Sequence, residues 1–190
     1  MKAESGSADA KLPLPPPVGR KRRGLAILDF LLRLLAIGAT LSAAIAMGTN
    51  NETLKFFTQF FQFNARFYNL SAFIYFVIAN ATVGLYLLLS LPFSIFDIVR
   101  PRAAAFRVLL IFFDTVMVAV CTSGAAAATA IMYVARRGNT KTNWFSICQQ
   151  FNSFCDQATG ALGASFAAVV LLILLVLLSA STLHRQRADF

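Results

Sequence analysis

Four long apolar blocks separated by polar segments organise this chain: Leu25 to Met47, Leu70 to Leu91, Phe106 to Val134 and Ala161 to Leu183. Each exceeds the roughly 20 residues that a helix needs to cross a hydrocarbon core. The pattern predicts an all-α membrane protein, a four-transmembrane-helix bundle with spans over 25–47, 70–91, 106–134 and 161–183. Two longer loops, 48–69 and 135–160, alternate with a shorter one, 92–105. The flanks are an N-terminal tail, 1–24, which carries PLPPP at 13–17, and a short C-terminal tail, 184–190. The polar, proline-bearing composition of the first tail predicts disorder. Leu91-Pro92 is expected to end span two, because proline lacks a backbone donor and disfavours helix in the residue before it.

The first long loop breaks the pattern. Glu52 to Phe67, ETLKFFTQFFQFNARF, has phenylalanine at six of sixteen positions. So dense an apolar patch is seldom left facing water. Phe56, Phe60, Phe63 and Phe67 follow the i, i+4, i+7, i+11 spacing of one helical face, and Phe57 and Phe61 widen the stripe. Thr58, Gln59, Gln62 and Arg66 fall largely elsewhere, so the segment reads as an amphipathic helix. It needs a lipid surface, a protein partner or its own bundle to lie against. Aromatic stripes at helical spacing are often core, so all three stay open here.

Charge orients the spans. Of the seventeen basic residues, Lys2, Lys11, Arg20, Lys21, Arg22, Arg23, Arg100, Arg102, Arg107, Arg185 and Arg187 fall on one side. Lys55, Arg66, Arg136, Arg137 and Lys141 fall on the other, spread over the two longer loops. The excess of positive residues predicts cytoplasmic N- and C-termini. The net charge of +9 then belongs to topology and anionic lipid rather than to nucleic acid. Ala44-Ile45-Ala46 resembles a signal cleavage site, but the preceding run is too long and contains Asp29 and Arg33, so span one is expected to remain. With 190 residues, 58% of them hydrophobic, and a mean hydropathy of +0.68, no room is left for a soluble catalytic domain.

Two charges lie inside the apolar blocks. Arg33 is eight residues past Leu25 and Asp114 eight past Phe106, and both spans run outward, so each lies about 12 Å along its helix. Depth-matched opposite charges offset the cost of burying either in hydrocarbon. Asp29 precedes Arg33 by one turn and can share it. A structural clamp is the first reading; a small ion or solute channel or transporter built around Asp114 is the second, although no chain of acids or histidines crosses the bilayer.

Rows of small residues occur on three spans: Gly38, Ser42 and Ala46; Ser123 to Ala130, including Gly124; and Gly160, Ala164 and Ala168. Small rows let helices approach closely, within one bundle or between copies. Cys121 is a packing residue of span three. Cys148 and Cys155 share the second long loop, where a disulfide is expected and two free thiols are the alternative. Asn51-Glu52-Thr53 and Asn69-Leu70-Ser71 are N-glycosylation sequons close to span ends. No nucleophile–base pair, phosphate-binding glycine loop or metal-ligand spacing is present, which argues against an enzyme and gives no reason to expect a cofactor or metal.

The chain resembles the Casparian strip membrane domain proteins of plants, distant relatives of the four-span MARVEL proteins. In that family an arginine in the first span and an aspartate in the third recur, where this chain has Arg33 and Asp114. ETLKFFTQFFQF, with Glu52, Thr53, Phe56, Phe57, Gln59, Phe60, Phe61, Gln62 and Phe63, is similar to the family's first-loop signature, and FIYFVIANA at 73–81 also fits. The resemblance covers about residues 25 to 185. It implies a self-associating plasma-membrane scaffold, forming homo- and hetero-oligomers with family members in root endodermis. Such a platform blocks lateral diffusion, adheres to the cell wall and directs lignin deposition by secreted polymerising enzymes and wall proteins at its outer face. An adhesion protein of claudin or tetraspanin type fits less well, since the first loop lacks cysteines and the second lacks Cys-Cys-Gly.

Overall fold

The computed structural model describes residues 18–53, 64–66, 71–99, 104–138, 146–149 and 152–188. Its helices are α1 (Val18–Gly48), α2 (Ser71–Val99), α3 (Ala104–Arg137) and α4 (Asn152–Ala188). Two three-residue strands, β1 (Asn51–Thr53) and β2 (Asn64–Arg66), follow α1, and a 3-10 turn, Ile147–Gln149, precedes α4. Stretches of all four helices are long and apolar enough to cross a membrane: 24–48, 71–95, 107–137 and 152–184.

The helices form a ring in chain order. α1 packs on α2 and α4, and α3 packs on the same two, so α1–α3 and α2–α4 are the diagonals. The start of α1, the end of α2, the start of α3 and the end of α4 share one end of the bundle, the terminal end. The β-strands and the 3-10 turn share the other, the loop end. Small side chains make the closeness possible. α1 turns Ala36, Thr40, Ala43 and Met47 inward, α3 turns Cys121, Gly124, Ala125 and Ala128, and α4 turns Ala158, Ala161, Ser165 and Ala168. Bulkier residues fill the layers between, with Phe73, Phe76 and Met132 near the loop end and Val83, Leu87, Leu172 and Leu175 towards the terminal end. Large aliphatic and aromatic side chains cover the outside instead: Leu35, Ile45, Leu89 and Phe112 are each about 61% exposed, which suits contact with lipid and no aqueous surface.

Several expectations are corrected. α2 does not stop at Leu91-Pro92 but continues to Val99 with Pro92 inside it. Proline forfeits one main-chain hydrogen bond, and within a packed membrane bundle that loss is tolerated. α4 begins at Asn152, nine residues before the expected start, so the second long loop is much shorter than 135–160. α3 runs to Arg137, where Gly138 takes φ 67° and its N–H donates to the Val134 carbonyl, the left-handed stop that glycine permits. α1 starts at Val18, directly after the proline run, so its first turns lie within what reads as tail.

The largest correction concerns the aromatic loop. A continuous helix from 52 to 67 is ruled out, because Asn51–Thr53 and Asn64–Arg66 pair as antiparallel strands, with Asn51 opposite Arg66 and Thr53 opposite Asn64. Apolar periodicity favoured a helix; the chain has to leave α1 and re-enter α2 at the same end of the bundle, and a hairpin base does that within a few residues. Phe56, Phe57, Gln59, Phe60, Phe61, Gln62, Phe63 and Phe67 lie outside the described residues, as does the sequon residue Asn69.

Candidate functional site: two polar bridges across the bundle

Arg33 and Asp114 meet across the α1–α3 diagonal. Arg33 Nη2 donates to Asp114 Oδ2 at 2.8 Å and Nη1 donates to Oδ1 at 3.2 Å, a two-pronged pair with neither side chain exposed. The planar guanidinium fork is what allows both contacts at once. Arg33 Nε donates to Asp29 Oδ2 at 3.1 Å, one turn away on the same helix. Asp29 keeps 21% of its side-chain surface exposed, whereas Asp114 has none, so solvent or headgroups reach only the first carboxylate.

α2 supplies the rest of this network from one stripe. Tyr86, Ser90 and Ser94 stand at i, i+4 and i+8 and meet the three charged residues in turn. The Tyr86 hydroxyl donates to Asp114 Oδ1 at 2.7 Å. Ser90 Oγ accepts from Arg33 Nη1 at 2.9 Å and donates to the Leu87 carbonyl at 2.7 Å. Ser94 Oγ donates to Asp29 Oδ2 at 2.8 Å. A charge pair taken out of water is tolerable only when its remaining donors and acceptors are also met. Among the described residues no buried side-chain nitrogen or oxygen lacks a partner.

A second bridge spans the other diagonal. Ser165 Oγ on α4 donates to Asn80 Oδ1 on α2 at 3.0 Å, and Asn80 Nδ2 donates to its own helix at the Phe76 carbonyl, 2.9 Å away. The Cys121 thiol of α3 lies 3.8 Å from Asn80 Oδ1 and 3.6 Å from Ser165 Oγ. Asn80, Ser165 and Cys121 are all wholly buried. Val83, Leu87 and Leu172, each fully buried, belong to the core cluster towards the terminal end. Along α2 the charged and amide networks are kept apart by the turn that carries Val83 and Gly84, where the Thr40 hydroxyl of α1 bonds back to its own helix.

Close backbone approach occurs at two glycines. A Cβ on Gly124 would stand 2.9 Å from the Ala79 Cβ, which marks the tightest α2–α3 contact. At Gly84 a Cβ would meet Thr40 Oγ1 and Leu41 Cδ2 at 3.2 Å, which fixes α1 against α2. The rows expected to pack within the bundle divide. Gly124 does so; Gly38 and Gly160 have nothing within 4 Å of a Cβ, Ser42 is exposed and Ala164 is half-buried. Ala125, Ala128 and Ala168 of these rows are fully buried, and Ala46 and Ala164 pack against the core, so the rows lie partly inward and partly on the outer face.

At the loop end, Cys148 in the 3-10 turn is disulfide-bonded to Cys155 in the first turn of α4, with Cα atoms 5.7 Å apart. Asn50, 1% exposed, donates from Nδ2 to the Phe154 carbonyl at 2.9 Å. Gln157 Nε2 donates to the Ala46 carbonyl at 3.0 Å, and the Phe73 and Phe154 rings are 6.1 Å apart. Arg136 Nη2 donates to Thr159 Oγ1 at 3.0 Å, joining α3 to α4. Of the expected first-loop surface, the described residues place only Asn51, Glu52 and Thr53, in β1. Among the described residues no three His, Cys, Asp or Glu side chains converge on a point suited to a metal.

Sequence reasoning placed Arg33, Asp114 and Asp29 together but missed the α2 stripe and Asn80. The signal was available: four-residue spacing of hydroxyl-bearing residues in an apolar span, and one amide in the same span. Asn80 reads in sequence only as part of an unusable sequon, Asn80-Ala81-Thr82.

Comparison with known proteins agrees with this architecture. Residues 22–171 match the Casparian strip membrane protein domain. The chain is 83% identical over 187 residues to Casparian strip membrane protein 1 of Picea glauca, an alignment that covers 98% of this chain and 99% of the relative. It is 54% identical over 184 residues to Casparian strip membrane protein 6 of Oryza sativa subsp. indica, covering 96% and 99%. With Casparian strip membrane protein 3 of Vitis vinifera the identity is 58% over 169 residues, covering 89% and 91%. No solved structure matches. A four-helix membrane bundle with these relatives along nearly its whole length belongs to the Casparian strip membrane protein family.

Proposed function

We propose that the protein is a self-associating scaffold of the plasma membrane that organises the Casparian strip membrane domain. Its termini face the cytoplasm and its loop end faces the wall, in keeping with the distribution of basic residues. The platform limits lateral diffusion in the membrane and marks where lignin is deposited at the membrane–wall junction of endodermal cells. Its associates are copies of itself and other family members, and secreted lignin-polymerising and wall proteins meet its outer face. The scaffold carries out no bond-making of its own.

The observation that carries this reading is the satisfied, buried ion pair. Arg33 and Asp114 spend their charge on each other and on Ser90, Tyr86 and Asp29, and fully buried Val83, Leu87 and Leu172 belong to the surrounding core. A transport path built around Asp114 needs that carboxylate to face an open or openable polar route. Purified protein reconstituted into sealed vesicles tests the point. Ion and small-solute flux is expected to equal that of empty vesicles, while cross-linking in native membranes gives homo- and hetero-oligomers. Flux that vanishes in Asp114→Asn, with no oligomers formed, would overturn the scaffold reading in favour of a channel.

A further inference from the structure

We propose that the second loop positions the first: Asn50 is the positioning residue for the hairpin base at 51–66, and the disulfide-tied start of α4 is what it is positioned against. The proposal rests on the proposed function, with the first-loop signature at the outer face taken as the surface that partners meet.

Phe154 stands between the two feet of the hairpin. On the side where the chain leaves α1, its carbonyl accepts from Asn50 Nδ2 at 2.9 Å, and Asn50 directly precedes β1. On the side where the chain returns, its ring lies 6.1 Å from that of Phe73, in the first turn of α2. Gln157, three residues further along α4, adds a contact from Nε2 to the Ala46 carbonyl at 3.0 Å. Cys155, beside Phe154 and 2% exposed, is tied to Cys148 of the 3-10 turn. The covalent tie and the two grips form one continuous contact from the second loop, through α4, to both feet of the first.

Asn50 suits this task because its side chain is buried and its Nδ2 donates to α4. The last main-chain contact of the α1 exit, from Asn50 N to the Met47 carbonyl at 3.2 Å, fixes its backbone but leaves the direction of the outgoing strand open. The side chain supplies that direction. An unpaired buried amide is costly, so the exit path follows the Phe154 carbonyl. Removing either the amide or the disulfide frees the hairpin base without touching the two polar bridges deep in the bundle.

Trypsin digestion of sealed vesicles with the loop end outward tests the coupling, since Lys55 and Arg66 flank the aromatic segment. Asn50→Leu is expected to raise cleavage at those two sites about tenfold, as for loss of a local closing contact. The pair Cys148→Ser with Cys155→Ser is expected to do the same, and combining all three changes adds little, since the contacts act as one unit. Asn50→Gln, which keeps the donor, restores protection in whole or in part. Protection of Arg102 in every variant confirms insertion, and should Asn50→Leu fail to insert, the cysteine pair reports alone. Wild-type cleavage rates in both variants, or fully additive effects, would overturn the proposal. Clustering of Phe60→Ala with Phe61→Ala is measured separately: if it is unchanged, the partner-surface reading fails while the digestion still decides the coupling.

Discussion

The guanidinium of Arg33 and the carboxylate of Asp114 face each other edge to edge across the bundle, 81 residues apart in sequence, at 2.8 and 3.2 Å. They join two helices that otherwise stand diagonally opposed. In a bundle bathed by lipid, apolar burial gives little preference for one helix arrangement over another. A polar bridge that can be satisfied in one arrangement only therefore sets which helix stands opposite which.

Removing one partner leaves the other charged, buried and unpaired. Arg33→Leu or Asp114→Leu is expected to cost about 3–5 kcal/mol of fold stability, read as a lower melting point in detergent and retention before the plasma membrane. Arg33→Asp with Asp114→Arg restores only part of it, because the new carboxylate at 33 stands one turn from Asp29. Wild-type stability in either single variant contradicts the clamp.

The α2 stripe grades the same network. Tyr86→Phe and Ser90→Ala each remove a contact to a fully buried charge, and a loss of about 1.5–3 kcal/mol is expected. Ser94→Ala costs less, since Asp29 is partly exposed and has other ways to be solvated. Thermal unfolding of the three variants in one detergent gives the order directly.

Asn80 is expected to hold α4 in register through Ser165. Asn80→Leu leaves insertion intact, lowers stability by about 1–3 kcal/mol and opens the surroundings of Cys121. That thiol is buried in the native bundle, so its labelling by a small maleimide should rise well above the wild-type rate. Unchanged labelling would show that the amide bridge does not set the packing there.

The glycines separate folding from surface effects. Gly124→Leu drives a side chain into Ala79 and is expected to disrupt the α2–α3 contact by several kcal/mol, roughly the upper range for overpacking. Gly38→Leu meets open space and is expected to fold and melt like the wild type. Equal melting points for both variants would mean that the helices do not approach as described.

Much of this was legible in the sequence, and the reasons for the rest are physical. Twenty-residue apolar blocks announce membrane helices, because the bilayer imposes a length that no other constraint obscures. Arg33 and Asp114 could be paired from depth alone, since hydrocarbon makes an unpaired charge so costly. Helix ends were less visible: Pro92 reads as a stop in water but is carried inside α2 by its neighbours, and Asn152 to Gly160 is too polar to read as a continuation of span four. The strand pairing at the two ends of the aromatic segment was not legible, because the pairing of Asn51 with Arg66 depends on where α1 ends and α2 begins. The small rows could be found on their helices but not divided between inner and outer faces, as with Gly38 and Gly160, since glycine and alanine carry no sign of which side they line.

Fluorescence recovery after photobleaching of the tagged protein at the endodermal membrane addresses scaffold function most directly. The account expects almost no recovery over minutes in the wild type and faster recovery in Phe60→Ala with Phe61→Ala, with both proteins inserted. Wild-type recovery as rapid as that of an unassembled four-span protein would contradict it.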